Sequence, residues 1–399
     1  MTITATPLRE AAKFIRGITF KPEDVCPPSE EGAVVCMRTK NVQADILLSD
    51  VIAIPEAFVR RAEQNLIEGD LLVSSANSWN LVGKACWVPQ LPYSATAGGF
   101  ISILRCDRKS VFPRYFYHWV TSGQTQHDLR QCGRQTTNIS NLDFDRALDL
   151  EIPLPPLAEQ KRIAAILDKA DAIRRKLQQS LRLSDDFLGS VFLDMFGDPV
   201  TNPMGWPIVT IRDLLASTAY GTSRKASETE GEFACLRMNN ITYSGGWDFT
   251  SLKYVNLEGR ELTNNLVRSG QLLFNRTNSK ELVGKTAVYR RKEPMAFAGY
   301  LVRGIANADA DTEFISAFLN LPYGKSILQG MCKNIIGMAN INAEEFKSIR
   351  IPKPPVQLQR KFAKIVMSVE SQRSNLQSCL TESKNLFSSL QQRAFRGEL

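Results

Sequence analysis

A chain of 399 residues with 43% hydrophobic and 23% charged side chains is long enough for two to three cores and too apolar to be disordered. No run of about 18 apolar residues occurs, so no membrane partner is expected, and residues 1–20 lack the charged start and apolar stretch of a signal peptide, so a cytoplasmic location is expected. The net charge of +8 suits a nucleic-acid partner, although no polybasic tail is present and the basic excess lies in the second half.

The predicted elements begin with a globular segment over residues 1–155. Arg16-Gly17 stands at its front, and Met37-Arg38-Thr39-Lys40-Asn41-Val42 closes an apolar run. Gly69-Asp70-Leu71-Leu72 predicts a buried strand that opens into the polar loop Ser74-Ser75-Ala76-Asn77-Ser78-Trp79-Asn80 and ends at Leu81-Val82-Gly83-Lys84. Gly99-Phe100-Ile101-Ser102-Ile103-Leu104 predicts a further strand. Gly133-Arg134-Gln135-Thr136-Thr137-Asn138 is a polar loop, after which Leu142-Asp143-Phe144 predicts a short helix start.

Ile152-Pro153-Leu154-Pro155-Pro156-Leu157 then leads into a long helix over 156–197, because prolines are tolerated where backbone N–H groups lack partners anyway. Ile163, Ile166, Ala170, Ile173, Leu177, Leu181, Ser184, Leu188, Val191 and Met195 recur at alternating steps of three and four, the spacing of a coiled-coil seam. Gly197 sits where a helix stop is expected. Asp198-Pro199 and Asn202-Pro203-Met204-Gly205-Trp206-Pro207 form a breaker-rich joint.

The second globular segment, 198–355, repeats the first about 200 residues later. Leu236-Arg237-Met238-Asn239-Asn240-Ile241 answers Met37–Val42. Gly270-Gln271-Leu272-Leu273 with Leu282-Val283-Gly284-Lys285 answers the strand and its closing turn, and Asn340-Ile341-Asn342 answers Asn138-Ile139-Ser140. Phe297-Ala298-Gly299-Tyr300-Leu301-Val302 predicts a strand. Ile351-Pro352-Lys353-Pro354-Pro355-Val356 repeats the proline block and opens a second long helix over 356–399. Its seam is Phe362, Ile365, Val369, Gln372, Leu376, Leu380, Ser383, Phe387, Leu390 and Ala394, in the same phase as the first, with Gly397 at the stop. Two amphipathic helices packed on separate cores satisfy this pattern. The matched serines Ser184 and Ser383 favour direct pairing. A run of about 33 residues spans about 50 Å.

Catalytic chemistry is missing. The cysteines Cys26, Cys36, Cys86, Cys106, Cys132, Cys235, Cys332 and Cys379 include no C-x-x-C pair, and only His118 and His127 could join them, so reduced thiols are expected and no metal site. No phosphate-binding P-loop, G-x-G-x-x-G turn, Asn-Pro-Pro-Tyr or Asp-Pro-Pro-Tyr tetrapeptide, or G-x-S-x-G elbow occurs. Glu382-Ser383-Lys384 has a nuclease-like E-x-K form, but it lies in a helical heptad and residues 351–399 contain no aspartate. The expectation is a non-catalytic binder.

Ile152-Pro153-Leu154-Pro155-Pro156-Leu157-Ala158-Glu159-Gln160-Lys161-Arg162-Ile163 resembles the signature of type I restriction-modification specificity subunits. Met195-Phe196-Gly197-Asp198-Pro199 with Gly205-Trp206, and Gln392-Arg393-Ala394-Phe395-Arg396-Gly397-Glu398-Leu399, are similar to the start of their second recognition domain and to their ending. The second proline block departs from the signature after Val356. The resemblance implies an α+β chain with two mixed α/β target-recognition domains in tandem, separated by long helices that pair as an antiparallel coiled coil, in a pseudo-two-fold repeat. It implies double-stranded DNA as ligand, read as a bipartite asymmetric target. Two methyltransferase subunits and restriction/translocase subunits would be the partners, with S-adenosylmethionine, ATP and magnesium on those partners and no cofactor on this chain. A modification-only methyltransferase system, and a coiled-coil scaffold whose globules bind protein, stay open.

On that resemblance the loops between matched blocks supply the candidate DNA contacts. From the first segment these are Arg16, Lys40, Asn77, Trp79, Lys84, Arg134 and Gln135. From the second they are Arg224, Lys225, Arg276, Asn278, Lys280, Lys285 and Lys333. An arginine can read guanine and an asparagine adenine through paired hydrogen bonds, and lysines meet phosphates. A solvated turn with capping asparagines is the structural alternative. Arg38 and Arg237 follow apolar runs and read as structural.

Overall fold

The computed structural model describes residues 5–135, 139–335 and 338–399. It divides into two compact units, Met1–Leu177 with Cys379–Leu399, and Gln178–Ser378. The division runs through the long helices, so each unit contains one globular segment and part of both helices.

In the first unit Ala12–Arg16, Ile101–Cys106, Leu71–Ser74 and Ala85–Trp87 form an antiparallel sheet in that order. Its central strands, Leu71–Ser74 and Ile101–Cys106, are buried on both faces, because a layer covers each. Leu71, Val73, Leu104 and Cys106 face a core built with Tyr115, Phe116, Val120 and Leu129 of the helices Pro113–Val120 and Gly123–Gln131. Leu72, Ile101 and Ile103 face Val35, Met37, Ala95 and Ala97 of a second sheet, Ile52–Pro55, Ala33–Met37 and Ala95–Ala97. The layers are therefore helices, sheet, sheet. A small third sheet joins Gly133–Gln135, Ser140–Leu142 and Ala76–Asn77.

The second unit repeats this plan. Leu215–Tyr220, Leu301–Ala306, Leu272–Asn275 and Thr286–Val288 form the central sheet. Leu272, Phe274 and Val302 face the helical core with Phe314 and Phe318, while Leu273 and Leu301 face Leu236 and Phe297. Thr277–Asn278, Met338–Asn340 and Lys333–Ile335 make the small sheet. The predicted strand Phe297–Val302 is interrupted: Met295–Phe297 ends one strand, Leu301 begins another, and a turn lies between. The glycine at 299 marked this turn.

The long helices run Leu157–Phe196 and Val356–Arg396, each starting directly after the proline pair. Gly197 and Gly397 stand just past their ends at φ 78° and 77°, the left-handed conformation that glycine adopts without strain. At the joint the Trp206 indole N–H donates to the Phe196 carbonyl at 2.9 Å, and Asn202 bonds the Trp206 backbone on both sides.

In the first unit Ile163, Ala164 and Leu167 enter the same core as Ala394, with Phe387, Leu390 and Phe395 packed against it. The Phe395 ring lies edge-on to Tyr115 at 5.5 Å, and Gln391 donates to the His118 carbonyl at 3.2 Å. In the second unit Phe192 and Phe196 meet Phe362 edge-on at 5.6 and 5.4 Å. Each such buried aromatic contributes about 1.5–3 kcal/mol.

Of the seam positions, Ile163, Phe362, Val369 and Leu380 are buried, whereas Ile166, Leu177, Leu181, Leu188, Val191, Ile365, Leu376, Phe387 and Leu390 are half-buried. Ile173 does not join them: it is 56% exposed. In those turns the globule lies over Gln160, Ala164, Leu167 and Asp171, a face rotated by one position from the expected stripe, so Ile173 points away from the core.

Candidate nucleic-acid interface

In each unit the central sheet and the small sheet end at one edge, and several candidate side chains converge there. Arg16 ends its strand opposite Ser102, and Ser74 ends the neighbouring strand opposite Ile101. Ala76–Asn77 leaves this edge paired to Asn141 and Ser140. Arg16 is exposed, its guanidinium 5.3 Å from the Phe144 ring centre, and Phe144 stacks on Phe14 at 4.7 Å. Asn77 donates to the Ser74 hydroxyl at 3.1 Å and accepts from the Ser78 N–H at 2.8 Å, so its carboxamide is engaged in its own turn. Arg134 on the facing strand pairs with Asp143. The backbone N–H of Arg146 and then Arg134 hold that carboxylate below its ordinary range.

The second unit carries different side chains on the same frame. Tyr220 stands opposite Val302 and Asn275 opposite Leu301. Arg276 follows directly; its guanidinium lies 5.1 Å from the Tyr220 ring centre and donates to the Asn340 carboxamide oxygen at 3.3 Å. Its Nε is buried without a partner, as are both polar atoms of the Asn275 side chain. Asn278 accepts from the Ser279 N–H at 2.9 Å, as Asn77 does from Ser78.

Other candidates lie elsewhere or are already engaged. Lys40 and Arg38 both pair with Asp50, the lysine contact being the larger influence holding that carboxylate low. Lys84 donates to Gln43 at 2.8 Å. Arg224 pairs with Glu261 at 2.8 Å, which raises its proton affinity. Lys225 and Lys280 are exposed, and Trp79 is half-buried. Lys285 is a correction: it is buried, its ammonium donates to the Met238 carbonyl at 2.7 Å, and burial pulls its proton affinity down. In this conformation it has no face to offer a phosphate; it closes the turn from beneath. The side chains of Gln135 and Lys333, and residue Asn138, lie outside the described residues. Arg38 and Arg237 cap loops in the same way: each backbone N–H donates at 2.8 Å to Asn41 or Asn240, whose carboxamide ties down the following loop.

The sequence reading missed the aromatic residues at this edge. Phe100 is 63% exposed, Tyr300 47% and Tyr220 46%. Phe100 and Tyr300 occupy equal places just before the sheet strand, each after a glycine. That repetition was the available signal.

No helix among the described residues is long and apolar enough to cross a membrane, and among them no cluster of His, Cys, Asp and Glu could hold a metal ion.

The sequence profile of the type I restriction modification DNA specificity domain matches residues 19–183. The EcoKI specificity subunit of Escherichia coli (strain K12) is 24% identical, the alignment covering 98% of this chain and 88% of the relative. The StySPI specificity subunit of Salmonella potsdam is 23% identical with the same coverage. Among solved structures, the type I restriction-modification S subunit from M. genitalium superposes with a TM-score of 0.62 at 16% identity, covering 99% of this chain and 96% of that one. A chain from a study of complex assembly and conformational transition in the type I R-M system gives 0.52 at 16% identity over the full length of both. The duplicated mixed α/β frame and its long helices share the fold of these structures, and the sequence relationships run the same way: over nearly its whole length the chain is similar to type I restriction-modification specificity subunits, and residues 19–183 match their DNA specificity domain.

Proposed function

We propose that this chain is a non-catalytic DNA-reading subunit that recognises a bipartite, asymmetric double-stranded target and docks two methyltransferase subunits, with restriction/translocase subunits joining for cleavage. The observation that carries the proposal is one frame presented twice with different side chains: Arg16, Asn77 and Phe100 at one edge, Tyr220, Arg276 and Tyr300 at the other. Two copies of one frame suit two half-sites, and unlike side chains suit unlike half-sites. Arg16, Arg134, Arg224, Lys225, Arg276 and Lys280 are the proposed DNA contacts from the described side chains. Gln135 and Lys333 are proposed from the matched loops alone.

The long helices are proposed to pair as an antiparallel coiled coil between recognition domains bounded at residues 1–155 and 198–355. Ala394 in the core of Ile163, and Phe362 against Phe192, support that pairing within each unit. S-adenosylmethionine, ATP and magnesium would act on the partner subunits, in the cytoplasm.

The test is methylome sequencing of cells expressing this chain with a cognate methyltransferase, compared with cells lacking the chain. A split, non-palindromic motif methylated only when the chain is present is the expected result. An undivided or palindromic motif, or methylation independent of the chain, overturns the proposal.

A further inference from the structure

At the edge of each central sheet a four-residue turn closes with a backbone hydrogen bond, Ile101 N–H to Gly98 O at 2.8 Å and Leu301 N–H to Ala298 O at 2.9 Å. The third residue of each turn is aromatic, Phe100 in one unit and Tyr300 in the other. Both are among the exposed large hydrophobic residues of the chain, in positions flanked by fully buried Ile101 and Leu301. A single exposed aromatic needs no explanation. Two at equal places in a diverged repeat do.

The turns are held rigidly. Ser75 and Ala76 both donate to the Phe100 carbonyl, at 3.0 and 3.2 Å, and Arg276 donates to the Tyr300 carbonyl at 3.0 Å. From the other side the chain passes so close that only glycine fits: a Cβ on Gly17 would stand 2.1 Å from the Gly98 oxygen, and one on Gly221 2.2 Å from the Phe297 oxygen. The backbone beneath each ring is therefore fixed on both sides while the ring faces solvent. Arg16 precedes Gly17 and Arg276 follows the neighbouring strand, so an arginine leaves the backbone next to each turn, its guanidinium over Phe144 in one unit and over Tyr220 in the other.

A flat apolar ring on a rigid turn beside an arginine suits one kind of ligand: a stacked base step with its phosphates. We infer that Phe100 and Tyr300 are stacking residues that each enter or cap the base stack of one half of the DNA target. This rests on the DNA-reading proposal above and adds that each half-site is distorted at one step. Low conformational entropy of the turn favours such a role, because little freedom is lost on insertion.

The test uses the complex of this chain with its methyltransferase subunits and a duplex carrying its methylation motif, with 2-aminopurine placed singly along each half. Wild type should give a fluorescence rise at a step in each half. Phe100→Ala should abolish the rise in one half only and weaken binding roughly tenfold; Tyr300→Ala should do the same in the other half. Phe100→Trp and Tyr300→Phe should retain both. A rise at the methylated adenine belongs to extrusion of that base by the methyltransferase and should persist in all variants. Unchanged signals and affinity in both alanine variants overturn the inference, as does impaired assembly with the methyltransferase in the absence of DNA, which would make the rings protein contacts. If wild type does not prefer the motif duplex to a random one, the DNA-reading proposal fails first and this inference falls with it.

Discussion

Gln160 and Gln359 make the same three hydrogen bonds in the two copies. The Gln160 carboxamide oxygen accepts from the Phe112 N–H at 2.8 Å, while its nitrogen donates to Ser110 O at 3.0 Å and Pro155 O at 2.8 Å. Gln359 accepts from the Asp311 N–H at 2.9 Å and donates to Asp309 O at 3.4 Å and Pro354 O at 2.8 Å. Both side chains are buried. Each glutamine ties the first turn of a long helix to the loop that opens the helical layer of its own unit, and to the proline block before it.

Gln160→Ala leaves one buried N–H and two carbonyls without partners, at a cost of about 1–3 kcal/mol. Denaturant unfolding should show that loss. Glu159→Ala, which removes an exposed pair with Arg162, should change stability by no more than about 0.5 kcal/mol. Equal effects from the two substitutions would contradict the role given to Gln160.

Arg276 and Lys285 separate two kinds of cation. Arg276→Ala should lower discrimination at one half-site by about 1–3 kcal/mol and leave the other half unchanged. Lys285→Met should leave the salt dependence of DNA binding unaltered, because its ammonium is held by the Met238 carbonyl and neutralises no phosphate. Titrating binding of the reconstituted complex against salt, for both variants, checks the pair.

Lys325 makes stability depend on pH. It is buried, donates to Asn320 at 2.8 Å, and burial with Lys285 nearby brings it down to about 8. An ordinary lysine titrates near about 10.4, so between these values the unfolded chain binds more protons and stability rises with pH. Below about 8 both states are charged and the full cost of burying the ammonium is present. The melting temperature of wild type relative to Lys325→Met should therefore climb between about pH 8 and 10. A flat difference would show that the group titrates normally.

On the proposed DNA-reading role, with the chemistry on partner subunits, the purified chain should show no methyltransferase, ATPase or nuclease turnover by itself. Activity that co-purifies with the chain after its partners are removed would refute this.

The long helices were legible because a three-and-four spacing bounded by proline pairs and glycines has few other solutions. Ile173 was misplaced because periodicity finds an apolar face but not which neighbour covers each turn. Here the globule, through Ala164 and Leu167, claims the first turns. The role of Gln160 was not legible, since three converging backbone groups from separate loops leave no mark in local sequence. Lys285 and Lys84 answer one another in the repeat, yet only the former is buried; sequence alignment carries the position, not the packing. Phe100 was read as part of a strand because a glycine-led turn and a bulged strand start have the same composition.

The first unit is completed by residues 379–399, which supply Ala394 and Phe395 to its core and Gln391 to the His118 carbonyl. During synthesis these residues emerge about 200 residues after Leu177, a wait of roughly 10–40 s at typical elongation rates of about 5–20 residues per second. Through that interval Tyr115, Ile163 and Leu167 lack the side chains that cover them. The nascent chain thus carries an open apolar seat, a site for chaperone capture or for premature pairing with another copy, until translation delivers its last helical turns.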